Sequence, residues 1–303
     1  MALLEVPGRE AGRLGIARRW GIPGFDWRGA VARRFLQHAG VYAFLVAAAA
    51  VVLLPYYWML TSSLAPGGQT FSAGLRFLPE EVRWQNYLDV LLKYHLDRWL
   101  LNSTIVAVFE TAGVLVTSIL AGYAFGRLRF WGRDALFFVY LATLMIPGQV
   151  TLIPSFLVIR YLGLINTYQG LIIPKLCGFF GVFLMRQFFL SFPPELEDAA
   201  CIDGSGRLRT LWQIVLPLSR PAVAALSIFA FTGSWNDFLW PLVVVGSERL
   251  KTVQLGLAAM KSETTDWGLL MAAAVLSALP LLVLYALLQR HFIRGITTTG
   301  LKA

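Results

Sequence analysis

The apolar positions of this chain gather into six runs, at about 39–61, 99–125, 135–159, 168–189, 222–246 and 267–289, with the polar positions collected between them. Each run meets the roughly 20 mostly apolar residues needed to cross the hydrocarbon core of a bilayer. The first run, AGVYAFLVAAAAVVLLPYYWMLT, and the sixth carry no charge, the second holds Glu110 as its only acid, and the fourth holds Lys175 with Arg186 near its end. The pattern predicts an all-α polytopic membrane protein with six transmembrane helices, since a membrane barrel would need short alternating strands instead. Pro147, Pro154, Pro241 and Pro280 fall inside runs, where a bundle can satisfy the backbone groups that a proline frees. The expected organisation is an N-terminal tail at 1–38, a transmembrane domain at 39–295 and a C-terminal tail at 296–303. Tyr56, Tyr57 and Trp58, at the end of the first run, suit anchoring at the membrane surface.

Composition agrees with that class: 57% of the 303 residues are hydrophobic and 14% charged. The charge has a direction. Seventeen of the 26 basic residues lie in the N-terminal tail, around Arg127, Arg129 and Arg133, between Arg186 and Arg220, and beyond the sixth run; eight lie in the alternate segments and Lys175 lies within a run. The positive-inside bias therefore places both termini and segment 191–221 in the cytoplasm. The formal net charge of +9 reads as this topological signal, which also meets anionic lipid, and not as a nucleic-acid footprint. Glu5, Glu10 and Asp26 in the N-terminal tail favour a cytoplasmic tail over a cleaved targeting peptide.

The candidate chemistry is sparse. Cys177 and Cys201 are the only cysteines and suggest neither a disulfide nor a zinc site. His38, His95 and His291 have no metal-binding spacing, and no glycine-rich phosphate loop is present, so any ATP used must be bound by another chain. No catalytic residues and no cofactor are expected in this chain.

The polar segment FPPELEDAACIDGSGRLRTLWQIVLPLSRP, residues 192–221, needs its own reading. Pro193 and Pro194 suit a helix start, and Glu195, Glu197 and Asp198 then fall in the first turns, where acids complement the helix dipole. Ala199 and Ala200 offer a face without bulk, and Asp203-Gly204 suits a turn or C-terminal cap. Beyond it, Leu208, Leu211, Trp212 and Val215 have helical spacing. The order of residues resembles the EAA loop of bacterial ABC importer permeases: Asp198-Ala199-Ala200, Gly204, Ile214 and Leu216-Pro217 stand at that motif's intervals, with Asp where the family usually has Glu. NSTIVA at 102–107, GYAFGRL at 122–128, IPGQVTLIP at 146–154, GLINTYQGLIIP at 163–174 and SWNDFLWPL at 234–242 are similar to its carbohydrate, maltose-type branch.

The resemblance implies a type I ABC importer permease (MetI-like) architecture in the bacterial cytoplasmic membrane. It also implies that 191–221 forms a coupling helix docking on a separate ATPase that holds ATP and Mg. Asp198 would then face basic groups of the ATPase, Ala199 and Ala200 would form the close-contact face, and Gly204 would make the turn. The implied partners are an ATPase pair, a second permease subunit, most simply a different chain, and an extracytoplasmic sugar-binding protein received on the outer face. There, residues 62–98 carry an apolar stripe of Trp84, Leu88, Leu91 and Leu92.

Inside the membrane, Glu110 and Asp237 are costly and so are candidate sites. Trp235, Asn236, Phe238 and Trp240 surround Asp237, and amides, carboxylates and aromatic faces suit a passing sugar; the rival role is an aromatic packing node. Lys175 is expected to extend toward the outer interface. The competing function is an ion- or proton-coupled transporter using Glu110 and Asp237 directly. An intramembrane aspartic protease would need a second Asp inside a run, and there is none.

Overall fold

The computed structural model describes residues 27–66, 81–264 and 266–299, with side chains within 39–66, 81–264 and 266–289. Most of the N-terminal tail, the last four residues of the C-terminal tail and part of the outer segment therefore lie outside the described residues. No strand occurs among the described residues. The chain divides into two units, 1–59 and 60–303. The first contributes most of helix α1 (Trp27–Ser63), with Pro55 inside it.

The second unit contains α2 (Gln85–Leu92), α3 (Leu96–Arg127), α4 (Arg133–Met145), α5 (Gly148–Tyr161), α6 (Tyr168–Lys175) and α7 (Phe179–Leu190). After these come α8 (Glu195–Ile202), α9 (Arg207–Leu218), α10 (Arg220–Trp235), α11 (Leu239–Val244), α12 (Val253–Glu263) and α13 (Trp267–Thr299). Three of the six expected crossings are single helices, at Ala39–Ser63, Leu96–Arg127 and Trp267–Gln289; the third and fourth are bent pairs, and the helix that begins the fifth forms a bent pair with the one before it. The third run turns by 99° between α4 and α5, where Pro147 precedes the new helix. The fourth bends by 43° between α6 and α7, and α10 departs by 81° from α9. The fifth run is not continuous over 222–246: α10 stops at Trp235, and the chain restarts as α11 beyond Asn236 and Asp237.

Helix α3 is the centre of the second unit, packing on α7 and α10, with α10 packing on α13. Small residues make the first contact close. A Cβ added at Gly122 would stand 2.8 Å from Met185 Cβ and 3.0 Å from the Arg186 amide nitrogen, so glycine is what lets the two backbones approach. Around this contact Tyr123, Met185, Phe189, Leu211, Val215 and Leu226 form one apolar cluster, and Leu96, Trp99, Phe231, Trp235 and Met260 form another.

Buried amides and hydroxyls tie down the opposite end. Asn102 donates to the carbonyls of Arg249 and Lys251 at 2.9 and 2.8 Å and accepts from the Tyr168 hydroxyl at 2.7 Å. The Asn86 amide donates to the carbonyls of Ser63 and Ala65 at 2.9 and 3.0 Å. That bond turns Asn86 and Val90 of α2 inward and leaves Trp84, Leu88 and Leu92 exposed; Leu91 packs on the core instead.

Candidate functional site

Two groups of polar residues stand out, one on segment 191–221 and one inside the bundle. In the first, Pro194 opens α8, and Glu195, Glu197 and Asp198 occupy its first turn. The helix closes at Gly204, whose φ of +75° is left-handed. The Gly204 amide donates to the Cys201 carbonyl at 3.0 Å and the Ser205 amide to that of Ala200 at 2.8 Å, the paired bonds of a Schellman cap.

One face of α8 is fixed to the bundle. Glu197 and Ala200, one turn apart, are buried, whereas Glu195, Asp198, Ala199, Ile202, Asp203 and Gly204 are exposed. The two alanines expected on one face therefore divide, because neighbours on a helix point about 100° apart. The fixing residue is Arg127, the last of α3. It donates through Nε to Glu197 Oε1 at 2.6 Å and through its terminal nitrogens to the carbonyls of Phe192 and Pro193 at 3.1 and 3.3 Å. Both charged side chains are only 10% exposed.

In α9 the expected stripe is half covered. Leu211 and Val215 are buried, while Leu208 and Trp212, one i, i+4 row away, remain 65% and 52% exposed. Pro217 has no amide to offer the carbonyl four residues back, and the preceding turn widens so that the Leu216 amide reaches the Leu211 carbonyl. Ile214 and Leu216 are half-buried and Pro217 is exposed.

The second group sits where two helices break. Lys175 ends α6, Asp237 lies between α10 and α11, and the Lys175 ammonium forms an ion pair with Asp237 Oδ2. Lys175 thus turns onto a carboxylate instead of extending to the outer interface. At bilayer depth a charge pairs where a partner is in reach. Glu110 of α3 is buried and accepts from the Ser234 hydroxyl at 2.7 Å. Ser103, Thr252, Leu171 and Trp240 are among the other residues lining a cavity of about 10 Å³ here, room for about one water. The Thr252 hydroxyl, buried there, has no hydrogen-bond partner.

Of the tryptophans flanking this node, Trp240 lines the cavity and both have their indole N–H groups bonded to backbone carbonyls. Trp235 is 1% exposed, stacks on Phe231 and donates its indole N–H to the Ser277 carbonyl at 3.1 Å. Trp240 is buried and donates to the Gly170 carbonyl at 3.1 Å. Asn236 is exposed and accepts from Gln254 at 3.3 Å. Sequence reasoning missed Lys175 as the partner of Asp237 and Arg127 as the partner of Glu197. The available signal for the first pair was Lys175 within the fourth run and lone acids, Glu110 and Asp237, within the second and fifth. Among the described residues no group of three His, Cys, Asp or Glu side chains could hold a metal ion.

The chain can now be compared with known proteins. Residues 116–298 match the family described as binding-protein-dependent transport system inner membrane component. The sn-glycerol-3-phosphate transport system permease protein UgpE of Yersinia pestis bv. Antiqua is 35% identical over 264 residues, covering 83% of this chain and 93% of that protein. Its counterpart in Rhizobium meliloti is 35% identical over 259 residues, covering 82% and 92%. Among solved structures, a chain of a bacterial ABC transporter involved in the import of the acidic polysaccharide alginate superposes with a TM-score of 0.74 at 25% identity, over 89% of this chain and 100% of that one. The ion- or proton-coupled alternative gives way to these matches. The chain belongs to the family of binding-protein-dependent transport system inner membrane components: it is a multi-pass inner-membrane permease of an ABC importer, a transport subunit and not an enzyme.

Proposed function

We propose that this permease carries a sugar, an oligosaccharide or a phosphorylated polyol, and that α8 and its flanks receive a separate cytoplasmic ATPase. The observation that carries the coupling reading is the division of α8 into two faces. Glu197 and Ala200 hold it to the bundle, while Asp198, Ala199 and Ile202 are presented outward, Ile202 at 87% exposure. An outward isoleucine one turn from a bulk-free alanine suits a face that another chain packs against. Glu195 and Asp198 then meet basic groups of the ATPase, Asp203 and Gly204 set the turn, and Ile214, Leu216 and Pro217 direct the chain back into the membrane.

The ATPase holds ATP and Mg, a second and different permease subunit completes the pathway, and an extracytoplasmic binding protein delivers substrate at the opposite face. Both termini are cytoplasmic. Domain movement passes from the ATPase through α8 and Arg127 into α3 as rigid-body rocking. Asn236, Asp237 and Glu110 are the pathway residues on this side, held in place by Trp235 and Trp240. The substrate reading is supported by the relatives, whose names specify sn-glycerol-3-phosphate and alginate.

The test is co-purification of tagged wild type and Gly204→Asp from the native membrane. Gly204 has open space where a Cβ would stand, and Asp is among the few residues that occasionally adopt a left-handed backbone, so the strain of the variant stays local to the turn and the docking surface changes with it. Wild type is expected to bring an ATPase and a second permease chain, and the variant to lose the ATPase. A wild-type chain that purifies alone and still transports without ATP would overturn the reading.

A further inference from the structure

The turn between α3 and α4 has chemistry that transport does not use. Its sequence, RLRFWGR at 127–133, lies where one membrane-crossing helix ends and the next begins. Trp131 is 98% exposed and Phe130 is also exposed. An indole left open at the end of a span is the mark of a side chain held at headgroup level.

Phe130 lines an open cleft of about 680 Å³ together with Arg127, Arg129, Arg133, Arg207, Glu197 and Asp198. An adjoining cleft of about 430 Å³ again has Arg129 and Arg133 in its lining, with Asp134. Arg127 is satisfied by Glu197 and two carbonyls. Arg133 donates to both Asp134 oxygens, at 3.0 and 3.2 Å, and Arg186 approaches the same carboxylate at 3.7 Å. Five arginines thus face three acids, leaving two positive charges. Arg129 is exposed, and Arg207 is 67% exposed at 3.9 Å from Glu197, so these two guanidinium groups are the ones open to a ligand. Planar arginine forks suit phosphate oxygens.

We infer that this cleft seats the phosphate of an anionic phospholipid between Arg129 and Arg207, with the acyl chains running past Phe130 and Trp131. Pro194 and Asp198, at the start of α8, line the same cleft, so a bound lipid joins the proposed docking helix to the membrane. The inference rests on the reading that this end of the bundle faces the cytoplasm and carries the ATPase.

The experiment uses the complete transporter, stripped of lipid in mild detergent and titrated with phosphatidylglycerol, phosphatidylcholine or inorganic phosphate under native mass spectrometry. The wild-type complex is expected to retain phosphatidylglycerol over phosphatidylcholine. Arg129→Gln and Arg207→Gln should each weaken that retention about fivefold, and Trp131→Ala should weaken retention of both lipids. Equal retention of the two lipids, or unchanged phosphatidylglycerol retention in the double arginine variant, would overturn the proposal. So would binding of inorganic phosphate at the concentrations that saturate with lipid, which would make the cleft a free-anion site, or retention only after the ATPase is stripped, which would make it an ATPase face. Loss of ATPase copurification with lipid selectivity intact would instead count against the coupling reading alone.

Discussion

Segment 191–221 and the node around Lys175 each depend on one ion pair, but the two pairs are built differently. Arg127 and Glu197 are both nearly buried, and Arg127 also holds two backbone carbonyls, so the guanidinium is shared among three acceptors on one short stretch. Lys175 and Asp237 are more open, at 29% and 20% exposure, and each stands at the break of a helix. The first arrangement fixes a helix to the end of a long span. The second joins two segments that have already lost helical continuity, so opening it need not break a helix. Under the proposed rocking between inner and outer access, the first pair would serve as a lever and the second as a joint.

The largest expected effect is on the lever. Arg127→Ala leaves the buried Glu197 carboxylate with only the exposed Arg207, 3.9 Å away, a loss of up to about 3 kcal/mol, at the low end for a broken buried pair, read as a lowered unfolding temperature of the purified complex. Glu197→Gln keeps the shape and a hydrogen-bond acceptor and should cost clearly less. An unfolding temperature unchanged in Arg127→Ala would mean that α8 is not anchored through this pair.

The joint should respond less. Lys175→Met leaves an unpaired carboxylate near bilayer depth, where a charge costs about 2.5–3.5 kcal/mol at a helix centre, reduced here by the partial exposure of the pair. Exchanging the charges, Lys175→Asp together with Asp237→Lys, should recover much of the loss, and a double-mutant cycle measures the coupling. If the exchange is no better than the sum of the single variants, the pair is not a specific contact.

Helix α3 carries both Glu110 and Arg127, so its contact with α7 is common ground for the two regions. Gly122→Ala forces a Cβ against Met185 and the Arg186 backbone, for a cost of about 1–3 kcal/mol from overpacking. Because the shift is at the shared frame, transport should fall in step with unfolding temperature. Transport lost at an unchanged unfolding temperature would show that Gly122 serves movement and not packing.

The sequence was most legible where a long-range physical constraint acts on many residues at once. The apolar runs follow from the bilayer, and the helix start at Pro194 and the turn at Gly204 follow from backbone preferences that each residue has by itself. What it did not reveal were pairings across elements. Nothing local to Lys175 says that the break after Trp235 brings Asp237 within reach, and nothing local to Arg127 says that Glu197 will turn inward while Asp198 does not. The fifth run read as continuous because Asn236 and Asp237 interrupt it for only two positions, and the short helix carrying Pro241 restarts at once. The motifs NSTIVA and GLINTYQGLIIP marked resemblance, yet in the structure Asn102 and Tyr168 hydrogen-bond to each other. Part of what those motifs supply is a buried fastening and not a ligand contact.

The smallest effect on the fold is expected at the outward face of α8, and it separates the lever from its load. Ile202 is 87% exposed, so Ile202→Ser removes no core contact and should change stability by no more than about 0.5 kcal/mol, the usual range for surface positions. The same change takes an apolar side chain from the face proposed to meet the ATPase, and anchors at the centre of an interface are where binding energy concentrates. Copurified ATPase should therefore drop while the unfolding temperature of the permease stays with wild type, the reverse of the balance expected for Gly122→Ala. If the ATPase instead remains bound to Ile202→Ser and to Ala199→Glu, the outward side of α8 is not the docking face, and Leu208 and Trp212 on α9 become the apolar positions to test next.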